Sequence, residues 1–194
     1  PDARSLRIVT SFSPIIELGC GNAYWSSLLR KAGCDVIAVD KYSSENDDQP
    51  FIDDVIKGDA AYLKKKSAAG RTLFLCYPDD RESLSAECLK YYQGDTIIHV
   101  GELAFLGGTY AGGEEQCPFG RTTCSEFQVE LAAQFHCVLN AKLKCLPHCN
   151  DYISVWKRSA FVSMGEDFQE WKAIPKEEAL PDLDLAAPAF KHLL

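Results

Sequence analysis

Glu17, Gly19 and Gly21 alternate along the segment Ile15-Ile16-Glu17-Leu18-Gly19-Cys20-Gly21-Asn22-Ala23. The two isoleucines suit a strand buried on both faces. The two glycines let the backbone behind that strand bend sharply and approach a ligand with no Cβ in the way. Residues 24–32 then place Trp25, Leu28 and Leu29 at helical spacing. A second strand is predicted over 35–39, and Asp40 ends it. A carboxylate at that point suits the paired hydroxyls of a ribose. Strand, glycine turn, helix, strand and terminal acid together form a nucleoside-binding pattern.

The spacing separates the candidate nucleosides. A dinucleotide fingerprint G-x-G-x-x-G would put its third glycine at position 24, which is Tyr24, and a phenol ring obstructs the close backbone approach a pyrophosphate needs. No Lys-Ser or Lys-Thr pair follows, so a P-loop does not fit either. What remains, E-x-G-x-G and a strand-terminal acid, resembles motif I and the ribose acid of the class I S-adenosylmethionine-dependent methyltransferases. Further segments carry the likeness: Val39-Asp40-Lys41-Tyr42, Gly58-Asp59-Ala60, Leu75-Cys76-Tyr77-Pro78, His99-Val100-Gly101-Glu102 and Ser154-Val155-Trp156-Lys157. Over most of residues 5–158 the chain resembles a family of uncharacterised methyltransferase-like proteins of microbes, plants and protists.

The resemblance implies S-adenosyl-L-methionine as cofactor. It implies contacts from Glu17, Gly19, Gly21, Asn22, Tyr24, Trp25, Asp40, Lys41, Asp59, Ala60, Cys76, Tyr77 and Pro78. Glu17 would help hold the amino-acid part of the donor, with bonding to the amides of its own turn as the simpler alternative. Trp25 fits a donor pocket and a first-helix core equally well. Three ligand-type segments end successive strands, which is where open α/β sheets bind ligands.

Methyl transfer asks little of a protein, because the sulfonium already activates the methyl group. The chain must align nucleophile, methyl and sulfur and exclude water. A base is needed only where the acceptor must lose a proton. Amino-group methyltransferases of this kind carry Asn/Asp-Pro-Pro-Tyr after the fourth strand; here the order is Tyr77-Pro78-Asp79-Asp80. The candidate catalytic residues are Tyr77, Asp79 and Glu102. Asp79 and Asp80 fit a loop start or a helix cap as well as a base. His99, inside a strand, reads as a core histidine. The acceptor is expected to be a small molecule or a protein side chain. Asp79 stands where members of the family that the chain resembles carry a second proline. That feature favours a competing reading: a non-catalytic module that binds the donor, or nothing, and acts through a partner. A nicotinamide-dependent oxidoreductase is disfavoured by Tyr24.

The bulk composition narrows the partners. The chain has 194 residues and a net charge of −8, from 20 basic and 28 acidic residues. Nucleic-acid affinity rests on neutralising phosphates, so a chain this acidic is a poor candidate for gripping DNA or RNA unaided. The one basic run, Lys64-Lys65-Lys66, reads as the solvated end of a short helix. No apolar run approaches the ~18 residues that span a bilayer. Nine cysteines, several in predicted core elements, read as reduced thiols of a cytoplasmic protein. Cys145, His148 and Cys149, with Cys117 and Cys124, lack zinc-like spacing, and no metal is expected. The chain opens on Pro1 rather than methionine, which leaves room for a preceding native segment.

The predicted order is a helix over 4–12, strands over 15–18, 35–39, 55–59, 71–77 and 96–100, helices over 24–32, 60–66, 83–92 and 125–135, and strands over 137–143 and 152–157. Residues 41–50 are polar and leave little room for a full helix. Residues 106–121, with four glycines and a proline, read as a loop over the sheet edge. The closing strand pair lacks a helix. Class I methyltransferases share that feature, and the resemblance implies their Rossmann-like three-layer α/β sandwich, with a mostly parallel seven-stranded sheet and an antiparallel last strand lying between the fifth and sixth. The domain is expected over 1–164. An acidic, proline-containing tail over 165–194 is expected to pack on it through Trp171 and the Phe190/Leu193/Leu194 end.

Overall fold

Alternation of apolar residues along the strands builds the molecule. Ile15 faces one side of the sheet and Ile16 the other, and the same division separates Phe74 from Leu73 and Leu75, and Ile98 from Ile97. A strand apolar on both faces must be covered on both, which gives three layers. The computed structural model describes residues 1–42, 50–103, 122–144, 151–159 and 184–194.

The helices are α1 (Ala3–Thr10), α2 (Tyr24–Lys31), α3 (Leu84–Tyr91) and α4 (Ser125–Gln134). The strands are β1 (Ile15–Leu18), β2 (Val36–Asp40), β3 (Ile56–Lys57), β4 (Thr72–Cys76), β5 (Thr96–Gly101), β6 (Phe135–Lys142), β7 (Tyr152–Arg158) and β8 (Leu185–Ala186). They form one sheet in the order β3-β2-β1-β4-β5-β7-β6-β8. β1 to β5 pair in parallel. β7 runs antiparallel between β5 and β6. One face packs α3, α4 and the 3-10 turns after β3 around Leu73, Leu75, Ile97, Phe127 and Trp156. The other packs α1 and α2 around Ile8, Leu29, Phe74, Ile98 and Val155.

The structure differs from the sequence expectation in two ways. The sheet has eight strands rather than seven. Leu185 and Ala186 pair with Asn140 and Leu139 and so cover part of the edge that β6 would otherwise expose. The helix predicted over 60–66 is two short 3-10 turns, Ala60–Lys64 and Lys66–Ala68. Asp59 caps the first by accepting from the Ala61 N–H at 2.8 Å, but five residues give too little length for an α-helix to settle. At the tail, Leu193 is buried, and Phe190 and Leu194 pack against the α1/α2 face. Trp171, the 106–121 segment and Cys117, Cys145, His148 and Cys149 lie outside the described residues. Among the described residues no helix is long and apolar enough to cross a membrane, and no group of His, Cys, Asp and Glu is placed to hold a metal.

Candidate active site

The glycine turn is fixed by the end of β2. The Gly19 and Cys20 N–H groups both donate to the Val39 carbonyl, at 2.9 and 3.2 Å. The Gly21 N–H donates to Asp40 Oδ2 at 2.8 Å. Gly19 and Gly21 hold φ of +71° and +54°, where a side chain is strained. A Cβ on Gly19 would also come within 2.9 Å of Leu84 Cδ2, so the start of α3 sits directly over the turn.

Asp40 uses only part of its bonding capacity. Oδ2 accepts from Gly21 and Oδ1 from the Tyr42 N–H at 2.7 Å. An ionised carboxylate offers about four acceptor positions, so roughly two remain. Asp40 lines an open cleft of about 680 Å³ together with Gly19, Lys41, Asp59, Tyr77, Pro78 and Asp79. This cleft lies at the carboxyl ends of β1 to β4, as expected for a ligand site of an open α/β sheet. Arg81, Glu82, Leu84 and Glu87 close its other wall.

Other sequence candidates surround the cleft without lining it. Glu17 lies beneath the turn, 2 % exposed, and accepts a hydrogen bond from the Ser26 hydroxyl of α2. Burial raises its carboxyl to about 7, and the nearby Asp40 charge pushes the same way. Its bond goes to a helix side chain, not to the amides of the turn. Trp25 packs edge-on against Phe74, at 5.2 Å between ring centroids, within the apolar core. Ala60 is fully buried beneath the 3-10 turn. Asn22 and Tyr24 are exposed, and the Tyr24 ring rests on Phe51 at 5.1 Å. Cys76 is half-buried, and burial lifts its thiol to about 12, with Glu17 and Asp151 adding to the rise, so the thiol stays protonated.

Two of the three catalytic candidates, Tyr77 and Glu102, act on a fourth residue, Asp151. Tyr77 takes a left-handed backbone, φ 52°, which is strained for an aromatic residue. Its hydroxyl donates to the Asp151 carboxylate. Burial raises the Asp151 pKa, the Tyr77 bond opposes that, and the Glu102 charge adds to it. Glu102 is buried. Its N–H donates to Thr122 Oγ1 at 3.0 Å, and that hydroxyl donates back to the Glu102 carbonyl at 2.6 Å. The single Thr122 proton being used, His99 Nε2 at 3.2 Å must be the donor of its bond to Thr122. His99 is fully buried, and burial lowers its pKa to about 3. Asp79 points into a local turn, accepting from the Arg81 N–H at 2.8 Å.

Asp151 was not singled out from the sequence. Its signal lies in pairing: β7 runs antiparallel beside β5, with Tyr152 opposite Gly101, so the residue before β7 must lie beside the residue after β5. Arg81 and Leu84 were also missed, because their place depends on how α3 sits over the turn.

No family model and no curated protein matches this sequence. Solved structures do. The fold is similar to the methyltransferase domain of bacterial CtHen1-C, with a TM-score of 0.52 and 13% identity over 79% of this chain and 94% of that one. It is similar to an uncharacterised protein of Listeria monocytogenes serotype 4b, with a TM-score of 0.51 and 14% identity over 90% and 79% of the two chains. The strand order, the antiparallel β7 between β5 and β6, and these similarities agree: the chain has the fold of the class I S-adenosylmethionine-dependent methyltransferases.

Proposed function

We propose that this chain is an S-adenosylmethionine-dependent methyltransferase that holds its donor in the cleft beside Gly19 and Asp40. The observation that carries this reading is Asp40. It is buried at the rim of the cleft, tied to the glycine turn, and keeps two acceptor positions for the two hydroxyls of a ribose. Gly19, on the lining of the cleft, offers backbone without a side chain to the amino-acid part of the donor. Glu17, once ionised, places a negative charge below a region that would receive the positive sulfonium.

The bound donor supplies an activated methyl group. The chain would orient the acceptor and receive its proton. Tyr77 and Asp151 form a hydrogen-bonded pair at the end of β4, with Glu102 electrostatically coupled to Asp151. A carboxylate with a raised pKa, bonded to a phenol, can align a nucleophile and accept its proton. The acceptor in this reading is a small molecule or a protein side chain. Glu82, Glu87, Asp59 and Asp79 on the walls of the cleft give a phosphate-bearing polymer an unfavourable entrance.

Incubation with donor labelled on its methyl group, against pools of small molecules and proteins, tests the proposal. Label should pass to at least one acceptor, and Asp151→Asn should slow that transfer while leaving donor affinity intact. Saturable donor binding with no transfer to any pool would instead favour a non-catalytic binding module, a reading that Asp79 in the strand-4 segment supports.

A further inference from the structure

A second groove lies at the opposite end of the sheet. It is open, about 810 Å³, and sits before the amino ends of β4 and β5. The five residues of β4 separate it from the donor cleft by roughly 16 Å of strand. Its rim carries four lysines: Lys64 and Lys66 on the two 3-10 turns, Lys65 between those turns and Lys90 in the last turn of α3; the one acid of the lining, Asp95, is paired with Lys157 at 3.5 Å. In sequence the run and Lys90 are well separated, and only the fold brings them to one groove. All four are exposed, and among the described residues none of them meets a carboxylate. Two instead lie against one ring, with Lys64 Nζ at 3.8 Å and Lys90 Nζ at 5.6 Å from the centroid of Tyr91. The floor is apolar, with Leu63 and Ala68 beside the Tyr91 and Tyr92 rings.

Four cations gathered on a chain of net charge −8 are a local reversal of sign. Counting those four lysines apart, the remainder carries −8 − 4 = −12. A partner must therefore be anionic where it meets the groove and short enough to avoid the rest of the surface. We infer that this groove docks a short acidic segment of a partner protein, its carboxylates on the four ammonium groups and its apolar side chains over the floor at Leu63 and Ala68. A single strand of nucleic acid fits less well. It binds by stacking bases on free aromatic faces, whereas ammonium groups already lie over Tyr91. A long phosphate backbone would also run onto the acidic remainder. Lysines recognise anions as point charges without the fixed fork of arginine, which suits the varied geometry of carboxylates on a flexible segment. The inference does not rest on the methyltransferase reading.

The test is fluorescence anisotropy with the full chain and a dye-labelled peptide of about twelve residues, glutamates interspersed with leucines. Saturable binding that weakens with salt is expected. The pair Lys64→Glu and Lys90→Glu should raise the dissociation constant at least about tenfold, since it puts like charges opposite the peptide. Lys31→Glu, on an exposed end of α2 away from both clefts, should change it less than about twofold. The peptide with glutamines in place of glutamates should lose binding. Thermal melting of each variant shows that the fold is kept. Failure of the glutamate peptide to bind, or equal loss in Lys31→Glu and the groove pair, would overturn the proposal. So would tighter binding of a single-stranded RNA of the same length through the same lysines.

Discussion

Asp40, Glu17 and Tyr77 are the side chains on which the proposed donor binding and transfer turn. Asp40→Ala should weaken donor affinity by roughly 1–3 kcal/mol, about 5- to 150-fold, if its free acceptor positions meet the ribose. Calorimetry reads this directly, and an unchanged dissociation constant would take Asp40 out of the site. Because the change also strands the Gly21 and Tyr42 N–H groups, the melting temperature should fall as well. Glu17 gives a pH test with a definite sign. Its folded pKa of about 7 lies above its unfolded value, so the folded state holds an extra proton between the two. The stability it contributes is full in acid, and it is lost as pH rises through about 7. Glu17→Gln should remove this dependence, and the stability gap between the two proteins should shift by roughly 3 kcal/mol, in favour of the variant, from acid to alkaline pH. Denaturant melts at a series of pH values measure it; parallel curves would contradict the assignment. Donor affinity should move the other way, tightening as Glu17 ionises, and the demethylated product, without a sulfonium, should respond less. Tyr77→Phe removes only the hydroxyl that Asp151 accepts; transfer should fall with donor affinity nearly unchanged, and an equal loss of both would place Tyr77 in donor binding alone. Asp40 and the glycines were legible because chemistry and chain position coincide there. Asp151 was not, because its place is set by a strand pairing distant in sequence.

Elements position those residues through contacts that local pattern shows only in part. β1, Ile15–Leu18, has the bounds expected of it because apolar residues on both faces leave no other solution. The 3-10 turn Ala60–Lys64 was read as a helix, since its spacing fits both and only its length decides. Trp25, on the face of α2 that meets Phe74, shows that a helix next to a ligand loop can turn its largest ring inward. The contact between α3 and the glycine turn has a consequence of its own. Gly19→Ala would combine a left-handed φ with a Cβ 2.9 Å from Leu84. It should destabilise the fold by more than about 1 kcal/mol and abolish donor binding. Urea melts and donor titration check both, and a variant with native stability and affinity would show that α3 and the turn yield easily.

Across the whole molecule, strand order decides what the site can be. An antiparallel β7 between β5 and β6 brings Asp151 to Glu102 and closes the sheet beside Tyr77. β8 and the buried Leu193 extend the sheet and its apolar face beyond what the two-layer covering by helices required. Composition pointed to an acidic tail but not to this strand, because two residues of sequence carry no periodicity. Net charge was legible, yet the Lys64–Lys90 groove was not, since charge counts ignore where the fold gathers each sign. In the proposed function, the turn at Gly19 and Gly21 receives a sulfonium nucleoside rather than two linked phosphates. Isothermal titration of the intact chain with S-adenosylmethionine, its demethylated product and NAD measures this most directly. Saturable one-site binding of the first two and none of NAD is the predicted result, and binding of NAD alone would contradict it.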